Sequence, residues 1–435
     1  AANLNLFNTT APNVTIAPWM DDLHTTLGSI TGDISYTTTG TSPNQVLTIQ
    51  YNNYPSYFSG TTVAINFQVK IYETTNVIEF WYGNRVGALS GASPSETASV
   101  GIEWGTGGLN NFIDGSSGSR TVGNGFLNSI QFPTGNHIRY TPIVSALTPL
   151  AAGTYTVGSG GTYPNIKEAF ADINQRGIAG AIALTLLDAT NTVAQGNFFP
   201  LILDATVGTS ATNTITINGG GAATISYSGG TGSVVAGSST TTSTTLASST
   251  AEPLMLLAGT DYVSVLNTNF VQTASPYATP ARLDRGILLT NLSATNGATN
   301  NLIQGVNVTL DRVGTSSVGL AQAVLFTPTS SAGSNSNNKY YNFSIKNSYA
   351  GVLLTGNATF PDVACEVGTT ACSTYNTIGD PAVPNDIGNG TILTYGVKAT
   401  NQSGVKIFNN AITNITNTST TAIDGIFLDN ATITA

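Results

Sequence analysis

Between residues 261 and 409 one short pattern returns four times: a few alternating apolar residues closed by asparagine. The segments are Asp261-Tyr-Val-Ser-Val-Leu-Asn267, Asn301-Leu-Ile-Gln-Gly-Val-Asn307, Tyr341-Asn-Phe-Ser-Ile-Lys-Asn347 and Gly404-Val-Lys-Ile-Phe-Asn409. Alternation of this kind is the period of a strand with one buried face. Strands that recur every ~30 to 60 residues, with loops of variable length between them, predict a parallel β-solenoid. Each coil would bury its inward Val, Ile and Leu against the next. Asn at the turns would stack in a ladder, bonding its amide to the coils above and below. At ~30 residues per coil, residues 153–435 predict roughly ten coils.

Composition agrees with an all-β chain and excludes several functions. Of 435 residues only 13 are Lys or Arg and 22 Asp or Glu, giving a net charge of −9. No Lys or Arg occurs between Arg176 and Arg282. A nucleic-acid partner is therefore not expected, since phosphate binding needs clustered cations. Charged residues make up 8 %, while 40 % are hydrophobic and alternate with polar ones, which is not the composition of disorder. The longest apolar stretches, such as Ala181-Ile-Ala-Leu-Thr-Leu-Leu187, are far shorter than the ~20 residues that cross a bilayer, so no transmembrane segment is expected.

Two domains and a linker follow from the pattern. Residues 1–145 read as an antiparallel β-sandwich. Asn44–Tyr51, Val63–Tyr72 and Val77–Tyr82 alternate, Glu73–Asn76 is a hairpin connection, and His137–Tyr140 is a closing strand. Residues 146–152 form a linker between Pro142 and Gly153, and residues 153–435 form the solenoid. One helix is predicted over Pro164–Arg176, with Ile166, Phe170 and Ile173 on one face and Gly177 as its stop. The Ser/Thr tract 237–250 reads as an excursion. Cys365 and Cys372 predict a local disulfide, because His24 and His137 lie too far upstream to complete a metal site. Such a bond implies an oxidising location and hence export. The first residues lack the basic region and apolar core of a signal peptide.

Ile16-Ala-Pro-Trp-Met-Asp-Asp-Leu23, with Ser35–Ile49 and Phe67–Phe80, resembles a β-sandwich module of large secreted proteins of Bacteroidota-type bacteria. Tyr155-Thr-Val-Gly-Ser-Gly-Gly-Thr-Tyr-Pro-Asn-Ile-Lys-Glu-Ala-Phe170 resembles the opening of a right-handed parallel β-helix of the pectin-lyase-like class. That resemblance implies a strand, a glycine turn and a helix capping the first coil. Measured against these relatives, the chain is expected to start inside its first domain and to end in mid-coil. It would then be a fragment, or a chain whose ends neighbours cover.

The resemblance also directs attention to carboxylates that hold Ca²⁺ beside a Lys or Arg base, or to clustered Asp for hydrolysis. The matching candidates are Asp284-Arg285 and Asp311-Arg312, about one coil apart, which stacking could bring to one face. Ion pairs between adjacent coils are the plainer reading. Trp19, Tyr54 and Tyr57 are carbohydrate-binding candidates, with Asp21 and Asp22 as a weak Ca²⁺ site; a core tryptophan, an aromatic loop and a turn are the plainer readings.

The sequence thus describes a secreted, extracellular or cell-surface protein that is structural or adhesive, a subunit of a filament or layer. Its partners would be copies of itself, other surface proteins or polysaccharide. The alternatives are a polysaccharide lyase or glycoside hydrolase, or a carbohydrate-binding module.

Overall fold

A computed structural model of the chain describes residues 14–20, 23–27, 29–55, 64–83, 99–104, 112–115, 137–142, 147–197, 199–227, 253–272, 285–311, 317–371, 374–388, 394–416 and 423–432. These divide into two compact units, one up to Thr148 and one from Pro149. The described structure is nearly all β, with a single α-helix.

The first unit holds β1 (Ile16–Met20), β2 (Thr26–Leu27), β3 (Ile30–Thr31), β4 (Asp33–Thr39), β5 (Val46–Pro55), β6 (Ala64–Tyr72), β7 (Ile78–Tyr82), β8 (Ser99–Glu103), β9 (Phe112–Asp114) and β10 (His137–Tyr140). An antiparallel five-stranded sheet runs β10-β7-β6-β5-β4, and a three-stranded one runs β1-β8-β9. Alternation places Phe67, Val69, Phe80, Tyr82 and Ile138 inward, where all are buried. Ala17, Trp19 and Val100 supply the facing layer, and the Tyr82 hydroxyl donates to the Pro18 carbonyl at 2.8 Å between the sheets. The outer face of β7 carries Glu79, which accepts from Tyr72 Oη (2.8 Å), Trp81 Nε1 (2.9 Å) and Arg139 Nη1 (3.0 Å). Burial opposes its ionisation, but those donors, with the charges of Arg139 and His137, hold its pKa below the usual carboxylate value.

The second unit is a parallel β-helix. Its first sheet has eight strands: Gly153–Val157, Ile182–Leu186, Ile215–Asn218, Val263–Leu266, Leu302–Gln304, Lys339–Tyr341, Glu366–Gly368 and Lys406–Ile407. A second sheet of seven runs from Thr190–Asn191 to Asn410–Ile412, and a third of seven from Leu201–Asp204 to Ile423–Asp429. Eight strands replace the expected ten coils because the loops lengthen many of them. Register partners lie 48 residues apart at Ile215/Val263 but 27 apart at Lys339/Glu366. The helix α1 (Ile166–Arg176) falls where the apolar spacing places it. Asn165 caps it by accepting from Glu168 N at 2.9 Å, Gly177 ends it at φ 67°, and Ile166, Phe170 and Ile173 are buried beneath it.

Inside, each sheet contributes an apolar column. The first sheet stacks Leu184, Ile217, Val265, Ile303, Tyr340 and Val367. The second stacks Ile225, Phe270, Val308, Ile345 and Ile378. At the corners the chain needs left-handed residues, and Asn supplies them at 267, 342, 347, 401, 409 and 414 (φ 47° to 52°). In place of continuous Asn ladders, Asn side chains join adjacent coils in pairs: Asn307 Nδ2 donates to Asn269 Oδ1 at 2.8 Å, Asn376 to Asn410 at 2.8 Å and Asn430 to Asn401 at 2.7 Å.

One column breaks the apolar rule. The third sheet stacks Leu203, Leu257 and Leu289, then Gln322, then Leu354. Gln322 is wholly buried and opens a hydrogen-bonded spine through the interior. Asn301 Nδ2 donates to Asn338 Oδ1 (3.1 Å), and Asn338 Nδ2 to Gln322 Oε1 (3.0 Å). Gln322 Nε2 donates in turn to Asp362 Oδ2 (2.6 Å), where Gln402 Nε2 also donates (3.1 Å). Asp362 Oδ1 accepts from Asn335 N at 2.8 Å. This satisfies most of a polar set spread over several coils, although Gln402 Oε1 has no partner.

Cys365, one half of the expected disulfide, lies against this spine. Cys365 is a free, fully buried thiol whose Sγ meets Asn335 O at 3.4 Å and Gln322 Nε2 at 3.5 Å. Turned inward, it is engaged with the core; Cys372 lies outside the described residues. Burial, reinforced by the Asp362 charge, pushes its pKa up to about 12 and keeps it protonated.

Candidate functional site

The outer face of the first parallel sheet changes character along its length. One outward row reads Thr154, Ala183, Thr216 and Ser264, then Leu302, Lys339, Glu366 and Lys406. The next outward row carries Asn218, Leu266, Gln304, Tyr341 and Gly368. In the first row, small residues thus give way to long and charged ones from Leu302 onward. In a chain with 8 % charged residues, three successive charges on one row are a local concentration.

Leu302, Lys339 and Glu366 of the first row and Gln304 and Tyr341 of the second line an open groove of about 700 Å³, bordered by Tyr262, Asn300 and Asn337 on one side and Thr370 beyond. Tyr262, Asn300, Asn337 and Ala364 all take left-handed backbone conformations (φ 53° to 58°), so the corner before the strands repeats from rung to rung and forms one wall. On the floor, the Glu366 carboxylate is held between two donors, the Tyr341 hydroxyl and Lys406 Nζ at 3.3 Å. Phe408 packs edge-on to Tyr341 with ring centroids 6.3 Å apart. Gly368 leaves the room this needs, since a Cβ there would lie 2.5 Å from the Phe408 ring. Lys339 is exposed, and its row neighbour Leu302 is half-buried. Amides of Asn300, Asn337 and Gln304, an ammonium, a carboxylate and the apolar surfaces of Tyr262, Leu302 and Tyr341 therefore meet in one groove. Such a mixture of apolar faces and fixed amide and ionic partners suits a ligand with alternating apolar and hydroxyl-bearing surfaces.

The candidates chosen from sequence lie elsewhere. Asp284 and Arg312 fall outside the described residues. Arg285 begins a third-sheet strand, between Pro253 and Val318 in register, whereas Asp311 follows the second-sheet strand Asn307–Thr309. Arg285 and Asp311 therefore occupy unlike positions in their coils. Arg285 and Asp311 are both about 95 % buried, which removes them from contact with a polymer on the surface. Trp19 is only 7 % exposed on β1, in the sandwich core and not on a sugar-binding platform. Tyr54 is buried as well, edge-on to Tyr51 at 5.5 Å and against Gly32, where any Cβ would lie 2.7 Å from its ring. Tyr57, Asp21 and Asp22 lie outside the described residues. Among the described residues, no three His, Cys, Asp or Glu side chains lie close enough together to hold a metal ion. None of the described helices is long and apolar enough to cross a membrane.

Residues 1–142 match a family model described as NIDO related, which covers 142 of the 435 residues. No curated protein and no solved structure matched the chain.

Proposed function

We propose that this chain is an extracellular adhesive protein whose β-helix holds a glycan in the groove between Tyr262 and Thr370. The carrying observation is the convergence of Lys339, Glu366, Gln304, Asn337 and the apolar faces of Leu302 and Tyr341 across neighbouring rungs. An extended glycan offers an apolar ring face and a hydroxyl edge at each sugar. A face that repeats at the ~4.8 Å strand spacing presents partners at a matching short interval. The NIDO-related match over residues 1–142 supports an extracellular module of adhesive type, in keeping with the resemblance to secreted Bacteroidota-type surface proteins.

Lys339 gives the reading a preference. An exposed ammonium beside a carboxylate already held by Tyr341 and Lys406 favours a sugar with a carboxylate or sulfate over a neutral one. The test is calorimetric titration of the whole chain with uronic-acid-containing and neutral oligosaccharides. The acidic sugars are expected to bind more tightly at low salt, and Lys339→Ala is expected to weaken them about tenfold, the effect of one charge-assisted hydrogen bond. Equal binding by wild type and variant would remove Lys339 from the site. Oligosaccharides that emerge shortened would favour the lyase or hydrolase alternative.

A further inference from the structure

The five-stranded sheet ends on β4, and all seven residues of that strand are exposed. Backbone hydrogen bonds fix which groups face outward. Tyr72 N–H donates to Val77 O and Gly83 N–H to Asn66 O, so even-numbered residues of β6 turn their backbone groups to β7. Glu73 N–H donates to Gln45 O, so odd-numbered residues of β5 face β6 and even-numbered ones face β4. In register, Ser35 opposes Gln50, Thr37 opposes Thr48 and Thr39 opposes Val46. The N–H and C=O groups of Ile34, Tyr36 and Thr38 therefore point to the open edge. At Gly32 that edge is already used, because Gly32 N–H donates to Thr25 O at 2.8 Å. Beyond it, no described strand pairs with β4 on this side.

Tyr36 belongs to the inward row Ile49, Val69, Phe80 and Ile138. Val69, Phe80 and Ile138 are buried, yet Tyr36 is 79 % exposed and its neighbour Ile34 49 % exposed. The apolar face of the sheet thus runs out uncovered to its edge. Soluble proteins usually blunt such an edge with Lys, Pro or a bulge. β4 has no Lys, no Pro and, in its pairing with β5, no register shift; its one charge is Asp33 at its start.

We propose that β4 is a two-fold contact between two copies of this chain, paired antiparallel about Tyr36. The strand is self-complementary in this register. Tyr36 faces its own copy, Ile34 faces Thr38 and Asp33 faces Thr39, so no like charges meet. The outward groups coincide as well, since Ile34, Tyr36 and Thr38 of each copy donate to Thr38, Tyr36 and Ile34 of the other. The sheet becomes ten-stranded, and the exposed Tyr36 and Ile34 gain cover from their counterparts. The contact itself stands whether or not the groove binds a glycan.

Sedimentation equilibrium of the whole chain tests this. The mass is expected to rise with concentration from 44.7 kDa toward twice that value. Tyr36→Lys, which places like charges on the axis at an exposed position, is expected to raise the dimer Kd at least ~10-fold with an unchanged circular dichroism spectrum. Tyr36→Cys, under mild oxidation, is expected to give a covalent dimer that wild type does not, because residues in a hydrogen-bonded antiparallel pair have Cα atoms ~5.5 Å apart, within disulfide reach. A chain that stays monomeric at its highest attainable concentration overturns the proposal. So does a dimer that Tyr36→Lys leaves intact, or one that Tyr36→Cys fails to cross-link.

Discussion

Replacing Asp362 by Asn is expected to remove most of a stability loss that the β-helix suffers between pH 4 and pH 7. Asp362 is fully buried at the meeting point of Gln322, Gln402 and Asn335. Burial pushes its pKa from 3.8 to about 7, and the hydrogen bonds from Gln402, Gln322 and Asn335 offset this only in part. The sign follows from proton counts. Between pH 4 and 7 the unfolded chain has released this proton while the folded chain keeps it, so stability falls as pH rises. A shift of about three units corresponds to roughly 4 kcal/mol, fully present as stabilisation near pH 4 and lost above pH 7. The proton has a ready acceptor. A half-turn of the Gln402 carboxamide, which gives up its bond to the Thr400 carbonyl, brings its unpartnered Oε1 to the Asp362 carboxyl. Urea unfolding of wild type and Asp362→Asn across pH 4–8 measures the effect as the change in their stability difference. A difference that stays flat across this range would mean that the folded chain holds Asp362 ionised throughout.

Gly379→Ala is expected to be the most damaging single-methyl addition in the second sheet. Gly379 follows the strand Asn376–Ile378 at φ +94°, and a Cβ there would lie 1.9 Å from the Thr413 carbonyl oxygen of the next coil. That contact is backbone, which cannot rotate away. Thr413 N–H donates to Ile378 O and Thr413 Oγ1 to Gly379 O, so displacing Thr413 breaks the bonds that join two coils. In a solenoid each coil is stabilised by its neighbours, so a local separation spreads. Strain and clash together are expected to cost about 3 kcal/mol or more. Gly221→Ala is the matched control. Gly221 also has positive φ (+80°), but nothing lies within 4 Å of its added Cβ, so only the backbone cost of about 1 kcal/mol remains. Equal losses in the two variants would show that the Thr413 carbonyl does not resist displacement.

The fold was legible in the sequence where period and punctuation agreed. Val63–Tyr72 and Val77–Tyr82 alternate cleanly, and they stand as β6 and β7 joined by the expected turn. Ile166, Phe170 and Ile173 at helical spacing, stopped by Gly177, located α1. Asn267, Asn347 and Asn409 ended their strands because Asn tolerates the left-handed corner. Coil number was not legible, because coil length varies from 27 to 48 residues and no fixed repeat aligns one rung with the next. The same irregularity hid the groove. Leu302, Lys339, Glu366 and Lys406 share a row only after pairing is known, and the one signal available was the gathering of charges after Lys339 in a chain otherwise poor in them. Trp19 and Tyr54 attracted attention as aromatics, but alternation along β1 and the gap left by Gly32 bury them. Gln322 was silent for the opposite reason: Val-Gly-Leu-Ala-Gln-Ala reads as a strand, and its partner Asp362 lies 40 residues away.

Leu302 decides whether the outer face of the first parallel sheet binds a glycan, as proposed. Its side chain sits between Ser264 and Lys339 in the outward row, half-exposed, so Leu302→Asp alters the groove floor while leaving the interior column of Val265, Ile303 and Tyr340 intact. The measurement is a glycan-array comparison of the whole wild-type chain with Leu302→Asp, with the urea midpoint of each recorded alongside. The expected result is a defined set of bound glycans for wild type, loss of that set in the variant, and midpoints that agree. A wild-type chain that binds no glycan, or a variant that binds the same set equally well, would contradict it.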